Sequence, residues 1–456
     1  MWSVAASATH NTQDSTMTQP VEITAPPSKS LSHRAIMAAA MALGDSRLTG
    51  VLESEDTERT MDILRKTGAR IERTGPGAYT VGGVLGVPSG GATEPMDLDV
   101  GESGTTCRLI TPILACGNGE FLLRGHGRMH DRPIGELTDV LRSLSVDIEF
   151  VDRDGYPPFI LRAAGIPGGT VAISMDESSQ YLSGLLLAGP IARKPLTVEL
   201  TGKRAVSWPY VGLTLQTMED FGAAFRVDQK DENGEWEETD WRSLTRAEPG
   251  RLRFRTKLSM YMARELRVEG DWSNASYFLA AGAVGQAPVR IEGLRADSLQ
   301  GDRAMLAILY DMGARIEVSG DGVTVFPSQL RGVNADLSAC PDLAPTVAAV
   351  AACAKGDTII RGAAHLRIKE CDRIAAPAAE LAKVGATVEE RADGMRIVPP
   401  ERLASGASFA THNDHRIAMS LAVLQAAGVD ATFDVPEVVN KSFPSFWDQW
   451  AKVAGA

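Results

Sequence analysis

The sequence predicts an α/β protein of two similar domains, each made of three repeated units with buried helices at the centre and sheets outside. Three observations lead there. The chain has 456 residues, beyond the roughly 250–300 at which a single core stops growing. Helices rich in Ala and Leu recur six times, apolar nearly all the way round, which marks them as buried. After each comes a second, amphipathic helix, and five of these lead into an alternating hairpin with a Gly-containing turn.

The buried runs are SHRAIMAAAMALG, GTTCRLITPILACG, SSQYLSGLLLAG, SNASYFLAAGAVG, PDLAPTVAAVAACAKG and NDHRIAMSLAVLQAAG. They close at Gly44, Gly117, Gly189, Gly285, Gly356 and Gly428, and a terminal glycine suits the left-handed cap position. The second helices are DTERTMDILRKTGA, RPIGELTDVLRSLSV, WPYVGLTLQTMEDFGA, QGDRAMLAILYDMGA, KECDRIAAPAAELAKVGA and FPSFWDQWAKVAGA. RIEVSGDGVTVFP and TVEERADGMRIVPP are the clearest hairpins, each turning on Asp-Gly. The sixth helix ends the sequence, so its missing strand partner is expected from VEITAPP near the N-terminus. The unit recurs at roughly 70–95 residues, longer than a solenoid period. Three units precede Glu269–Trp272 and three follow. This predicts one domain over 29–270 and another over 1–28 plus 271–456, with the site in the cleft between them. The polar stretch Asp228–Gly250 reads as a long hairpin insertion.

Composition narrows the function. A hydrophobic fraction of 44% and a charged fraction of 23% are ordinary for a globular enzyme. A net charge of −12 argues against a nucleic-acid binder or a basic membrane-surface protein, so any anion site must be built locally. The five cysteines (107, 116, 340, 353 and 371) show no metal-ligand spacing and read as reduced thiols of a cytoplasmic protein. His126 and His130 lie among glycines, which argues against a helical metal pair. Met1–Thr16 holds no Lys or Arg and reads as neither signal nor transit peptide, and Met17 is an alternative start. No run reaches the ~18–20 apolar residues of a spanning helix.

The polar motifs fall at helix starts. Pro27-Ser28-Lys29-Ser30, with Arg34 one turn on, joins a helix N-terminus to two cations, the makings of an anion cage. Gly101-Glu102-Ser103-Gly104-Thr105-Thr106 precedes Arg108, and its glycines allow close backbone approach to a ligand. Ser178-Ser179-Gln180 opens a third buried helix with more hydrogen-bonding groups than a cap requires. Arg128 to Pro133, with Arg132, and then Ser207 and Tyr210 begin second helices. Lys369, Glu370 and Arg373 are expected on one helix, Lys369 and Arg373 as i,i+4 neighbours. Asp342 opens one buried helix, and Asn413-Asp414-His415-Arg416 opens the last. The repeat brings these starts to one end of each domain, which predicts a cationic cleft for small anions.

Taken in order, PSKSLSHR, SGTTCR, RPIGEL, SSQYLSGLLLA, SWPY, PDLAPT, IKECDR, NDHRIAMS and NKSFPSF resemble the 5-enolpyruvylshikimate-3-phosphate (EPSP) synthase family from about Val21 onward. The resemblance implies two inside-out α/β barrels, each of three βαβαββ repeats. It implies transfer of the enolpyruvyl group of phosphoenolpyruvate to the 5-hydroxyl of shikimate 3-phosphate, with release of phosphate and without metal or organic cofactor. Lys29, Ser30, Arg34, Ser178, Ser179 and Ser207 then hold shikimate 3-phosphate, with Gln180 against its ring. Lys29, Gly104, Arg132, Arg373, Arg416 and Lys441 form the phosphoenolpyruvate pocket, with His415 beside Arg416 at the same helix start. Asp342, Glu370 and Lys369 are the proton-transfer groups. A monomer acting on small molecules in the cytoplasm, without nucleic acid or membrane, is the accompanying expectation.

The chemistry accounts for that inventory. The alkene of phosphoenolpyruvate becomes electrophilic only as its methylene carbon gains a proton, so a general acid must coexist with a base for the incoming hydroxyl. Asp342 is assigned as base and Glu370 as acid, with Lys369 a rival for either proton. Cations stabilise the carboxylate and phosphate of the tetrahedral intermediate. The sequence departs from the family at Pro27, usually Gly, at Cys371, usually Thr, and at His365, often Asn. Gly104 matches the form associated with glyphosate sensitivity. Transfer to a UDP-amino sugar is the alternative; that sister family carries a Cys before its Arg-Pro motif, and Gly125–Arg132 has none. A non-catalytic anion receptor gains nothing from Asp342 and Glu370 beside its ligand.

Overall fold

The computed structural model describes residues 19–320 and 322–455, so the readings on Met1–Thr16 and Met17 lie outside it. Val21–Thr24 (β1) leads into the first buried helix, Lys29–Met41 (α1). Asp45–Thr49 (β2), Glu55–Lys66 (α2), Arg70–Gly75 (β3) and Ala78–Gly82 (β4) follow. The second unit is Met96–Asp99 (β5), Gly104–Ala115 (α3), Asn118–Arg124 (β6), Gly135–Ser143 (α4), Asp147–Phe150 (β7) and Phe159–Ala164 (β8). The third is Gly169–Met175 (β9), Ser179–Ala188 (α5), Leu196–Ala205 (β10), Trp208–Asp220 (α6), Phe225–Lys230 (β11), Trp236–Glu238 (β12) and Leu252–Thr256 (β13). Here β12 is the predicted insertion, folded back antiparallel on β11.

Glu265–Arg267 (β14) closes this half. Trp272–Val284 (α7), Val289–Glu292 (β15), Met305–Asp311 (α8), Arg315–Ser319 (β16) and Gly322–Phe326 (β17) form the fourth unit. The fifth is Asn334–Asp336 (β18), Ala344–Ala352 (α9), Thr358–Arg361 (β19), Ala375–Ala382 (α10), Thr387–Arg391 (β20) and Gly394–Val398 (β21). Ala407–Phe409 (β22), His415–Ala426 (α11), Ala431–Phe433 (β23) and Phe446–Ala454 (α12) complete the sixth.

Each complete unit pairs its strands in the order first, second, fourth, third. In the second unit β5 runs parallel to β6, and β6, β8 and β7 continue antiparallel. Parallel neighbours require a crossover, which α3 supplies, whereas the hairpin needs only a short turn. The six sheets remain open, with α1, α3 and α5 inside one half and α7, α9 and α11 inside the other. This is the inside-out α/β arrangement. Two separate apolar cores result, one from Ala35 to Val268 and one from Trp272 to Val453 that also takes Ile23 and Ala25. Small side chains let the inner helices approach closely. Gly184 of α5 faces the Arg108 carbonyl of α3, where an added Cβ would lie 2.6 Å from the oxygen. That contact outweighs the helix-propensity cost of an internal glycine, about 1 kcal/mol.

Three expectations need correction. VEITAPP does join the second half, but β1 pairs in parallel with β15 and completes the fourth unit, not the sixth. The fourth unit lacks a first strand of its own because β14, which precedes it in the chain, pairs instead with β2 of the first unit. The sixth unit has no hairpin and keeps only β22 and β23. Second, of the closing glycines only Gly44, Gly356 and Gly428 adopt positive φ, and of these only Gly428 directly follows a helix C-cap, Ala427 of α11. At Gly117 and Gly285 crowding by a backbone carbonyl, from Pro88 and Ala281 respectively, explains the glycine, and at Gly189 the side chain of Thr256 does. Third, Lys369, Glu370 and Arg373 precede α10 rather than lying on it. Asp372 Oδ1 accepts from the Ile374 and Ala375 amides, so the helix starts only after them.

The halves join at two neighbouring crossings. Ser28 N donates to Glu269 O (2.8 Å), Asp271 N donates to Pro26 O (2.8 Å), and Pro27 bridges Gly270. Pro27 thus sits where the chain passes between halves.

Candidate active site

Helix starts from both halves line one cleft, about 1000 Å³ with its open mouth. The caps differ between halves. Ser28, Ser103 and Ser178 cap α1, α3 and α5, neutral groups that leave the positive helix ends available to an anion. Asp271 and Asp414 cap α7 and α11 and already supply negative charge there. The first half is therefore the better host for a phosphate.

On that side Arg34 is buried and fixed by three bonds: Nε to Thr214 Oγ1 (2.8 Å), Nη1 to Ser30 O (2.9 Å) and Nη2 to Tyr210 O (3.0 Å). Burial lowers its pKa to about 10. Lys29 pairs with Asp56. Gln180 is held from both ends, accepting from Arg108 Nη1 (3.2 Å) and donating to Thr105 Oγ1 (2.9 Å). Ser207 caps α6 from a left-handed conformation, φ 56°, its amide bonded to Ser338 O of the other half (2.9 Å).

Arg373, 2% exposed, organises the opposite wall. Its guanidinium binds Asp414 with Nε (2.7 Å) and Nη2 (3.1 Å), Asp342 Oδ1 with Nη1 (3.0 Å), and Glu370 Oε2 with Nη2 (2.8 Å). Arg416 Nη2 donates to the other Asp342 oxygen (2.8 Å), and Arg132 Nη1 lies 3.4 Å from Glu370 Oε1. Burial raises both carboxyls, but Arg416, Arg373 and Lys369 outweigh it at Asp342, and Arg373 and Arg132 outweigh it at Glu370. Both are held below the usual range. Burial brings the Lys369 ammonium down to about 8 against the opposing pull of Asp342 and Glu370.

Every residue predicted for the site lines this cleft except Gly104 and Lys441. Gly104 lies under the Arg132 guanidinium, where an added Cβ would be 2.7 Å from Cζ. Lys441, from the second half, pairs with Glu102 of the first, which also accepts from Asn413 Nδ2 (3.2 Å). His415 is buried in the wall. His365 is buried with neither ring nitrogen partnered among the described residues, and Cys371 donates to Asp414 Oδ2 (3.4 Å). Sequence reasoning missed Asp271, Asn274, Gln300 and Asp302 in the lining, and noted Thr105 only within its motif and Tyr210 only as a helix-start residue. The start of the fourth unit's second helix, Gln300-Gly301-Asp302, was the available signal. Among the described residues there is no group of three or more His, Cys, Asp or Glu able to hold a metal ion, and no helix is long and apolar enough to cross a membrane.

Comparison with known proteins places this geometry. Residues 15–450 match the family model for EPSP synthase (3-phosphoshikimate 1-carboxyvinyltransferase). The chain is 40% identical over 432 residues to the 3-phosphoshikimate 1-carboxyvinyltransferase of Sulfurovum sp., covering 94% of this chain and 95% of that protein. It is 39% identical to the enzyme of that name from Thiobacillus denitrificans, covering 94% and 96%. The EPSP synthase structure from Acinetobacter baumannii superposes with a TM-score of 0.72 at 26% identity, covering 95% of each chain. The enolpyruvyl transferase NikO from Streptomyces tendae shares the fold, with a TM-score of 0.70 at 19% identity over 96% of this chain and 95% of its own. The chain belongs to the EPSP synthase family.

Proposed function

We propose that the cleft transfers the enolpyruvyl group of phosphoenolpyruvate to the 5-hydroxyl of shikimate 3-phosphate and releases phosphate, a step of the shikimate pathway to aromatic amino acids. The observation that carries this reading is the sharing of Arg373 by two cleft carboxylates, Asp342 and Glu370. Binding two anions needs cations alone. Carboxylates among them are needed where protons move.

The serine-capped side, with Lys29, Ser30, Arg34, Ser178, Ser179, Gln180 and Ser207, holds shikimate 3-phosphate. Arg132, Arg373, Arg416 and Lys441 hold phosphoenolpyruvate, with Gly104 giving Arg132 its room. Asp342 is ionised, as a base toward the 5-hydroxyl must be. Glu370 is also ionised while Arg132 and Arg373 are free to pair with it. An incoming anion that draws those guanidiniums away raises its proton affinity and readies it as the acid toward the methylene carbon. Lys369, whose ammonium burial brings down to about 8, is the competing donor. Residues 29–270 and 1–28 plus 271–456 act as two domains, in a cytoplasmic monomer whose halves draw together on substrate.

Phosphate release assayed with shikimate 3-phosphate and with a UDP-amino sugar tests the acceptor; turnover of the UDP sugar alone overturns the reading. Asp342→Ala tests the base. General-base loss lowers kcat by about 10²–10⁴-fold, and near-wild-type turnover with normal shikimate 3-phosphate binding removes the assignment.

A further inference from the structure

The Tyr210 hydroxyl stands between two carboxyls, 2.9 Å from Asp302 Oδ2 and 3.1 Å from Asp342 Oδ2. A hydroxyl carries one proton and donates to one acceptor. If both carboxyls were ionised, one of these contacts would bring two lone pairs together in a buried site. A further proton is therefore required, and the partners decide where it resides. Asp342 accepts from both Arg416 and Arg373 and is a settled anion. Asp302 is 2% exposed and has no ion pair among the described residues, and its Oδ1 has no hydrogen-bond partner among them.

We propose that Asp302 is held as a neutral carboxylic acid whose Oδ2–H donates to Tyr210 Oη, while the Tyr210 hydroxyl donates to Asp342 Oδ2. Asp302 is thereby a positioning residue. It fixes the direction of the chain and keeps the Tyr210 proton on Asp342, so that Asp342 stays ionised with a set orientation. That consequence rests on Asp342 being the base; the protonation of Asp302 does not. The charged and titratable groups around Asp302 are Asp342, Asp271, Arg416, Tyr210 and Cys340. Burial, reinforced by Asp342 and opposed by Arg416, takes its pKa up to about 7.

The test is infrared difference spectroscopy of the free enzyme at pH 6, wild type against Asp302→Asn. The wild type shows the carbonyl stretch of a protonated carboxyl that the variant lacks, and this band fades as pH rises through about 7. The neutral amide of Asp302→Asn preserves donation to Tyr210, so kcat at pH 6 falls by less than about tenfold, within the loss of one buried hydrogen bond. As pH rises through about 7 the wild type loses activity that the variant keeps, before both fall on the Lys369 limb near 8. Absence of the band from the wild type, or its persistence in Asp302→Asn, overturns the proposal. If the Asn chain does not fold, Tyr210→Phe serves, because losing the acceptor moves the Asp302 band to higher frequency; an unmoved band is equally fatal. Full turnover in Asp342→Ala would end the base assignment and leave the band in place, so the two readings fail separately.

Discussion

Replacing Arg373 with Met removes one side chain that holds three carboxylates. Asp342 keeps Arg416, and Glu370 keeps Arg132 at 3.4 Å. Asp414, fully buried, keeps only the Arg416 amide (2.9 Å) and the Cys371 thiol, and loses its cation. The loss is therefore that of one unpartnered buried charge, about 3–5 kcal/mol, a large share of a typical stability of about 5–15 kcal/mol. Urea denaturation of wild type and Arg373→Met at pH 7 measures it. The sign of the pH dependence follows from Asp342 and Glu370, whose folded values are depressed. Their stabilisation is present above the unfolded carboxyl values of about 3.9 and 4.3 and is lost as pH falls through the folded ones. The gap between wild type and variant is therefore widest near neutrality and narrows in acid. Adding Asp414→Asn recovers part of the loss, since the stranded charge is then gone. A loss below about 1 kcal/mol at pH 7, as expected of an exposed pair, or strict additivity in the double variant, would refute the reasoning.

Three further outcomes are expected. Lys369 sheds its proton as pH rises through about 8, so kcat/KM falls there and Lys369→Arg shifts that limb upward; an unchanged limb assigns it to another group. Gly104→Ala displaces Arg132 and costs a charged hydrogen bond to substrate, about 1.5–3 kcal/mol or roughly 10- to 150-fold in KM for phosphoenolpyruvate. Glyphosate inhibition weakens alongside, and an inhibition curve against phosphoenolpyruvate that stays put contradicts the crowding argument. Glu102→Gln removes the ion pair to Lys441 across the cleft, and small-angle scattering should show an enlarged free protein; an unaltered radius of gyration would exclude a clasp.

The repeat and the cleft were legible in the sequence because both are written in local signals. Apolar residues all round a helix mark it as interior, and Ser or Asp before such a run marks its start, so Ser28, Ser178, Asp342 and Asp414 could be placed in advance. The pairing of β1 with β15 has no such signal: four residues carry little register information, and a parallel partner more than 260 residues away is set by topology. The segment Lys369–Arg373 was read as helix because charged residues at that spacing resemble one. Asp372 Oδ1 takes the Ile374 and Ala375 amides just ahead of α10, and the loop, not a helical i,i+3 pairing, brings Glu370 and Arg373 together. Asp302 escaped notice because an acid near an ordinary amphipathic helix gains meaning only when Tyr210 and Asp342 arrive from elsewhere in the chain.

The two neighbouring crossings bear on how the protein is made. The first half is an uninterrupted stretch whose ends meet within one hydrogen bond, Ser28 N to Glu269 O, whereas the second half needs β1, which is synthesised ahead of the whole first half. For β1 to find β15 across an unstructured loop on the order of 260 residues would cost about 5 kcal/mol in closure entropy. If the first half folds as it emerges from the ribosome, it draws its own ends together and discharges that penalty before β15 exists. The strand then waits beside the place where its partner will form. A nascent chain stalled shortly after β14 should already protect β2 and β4 from hydrogen exchange, with β1 tethered and unpaired.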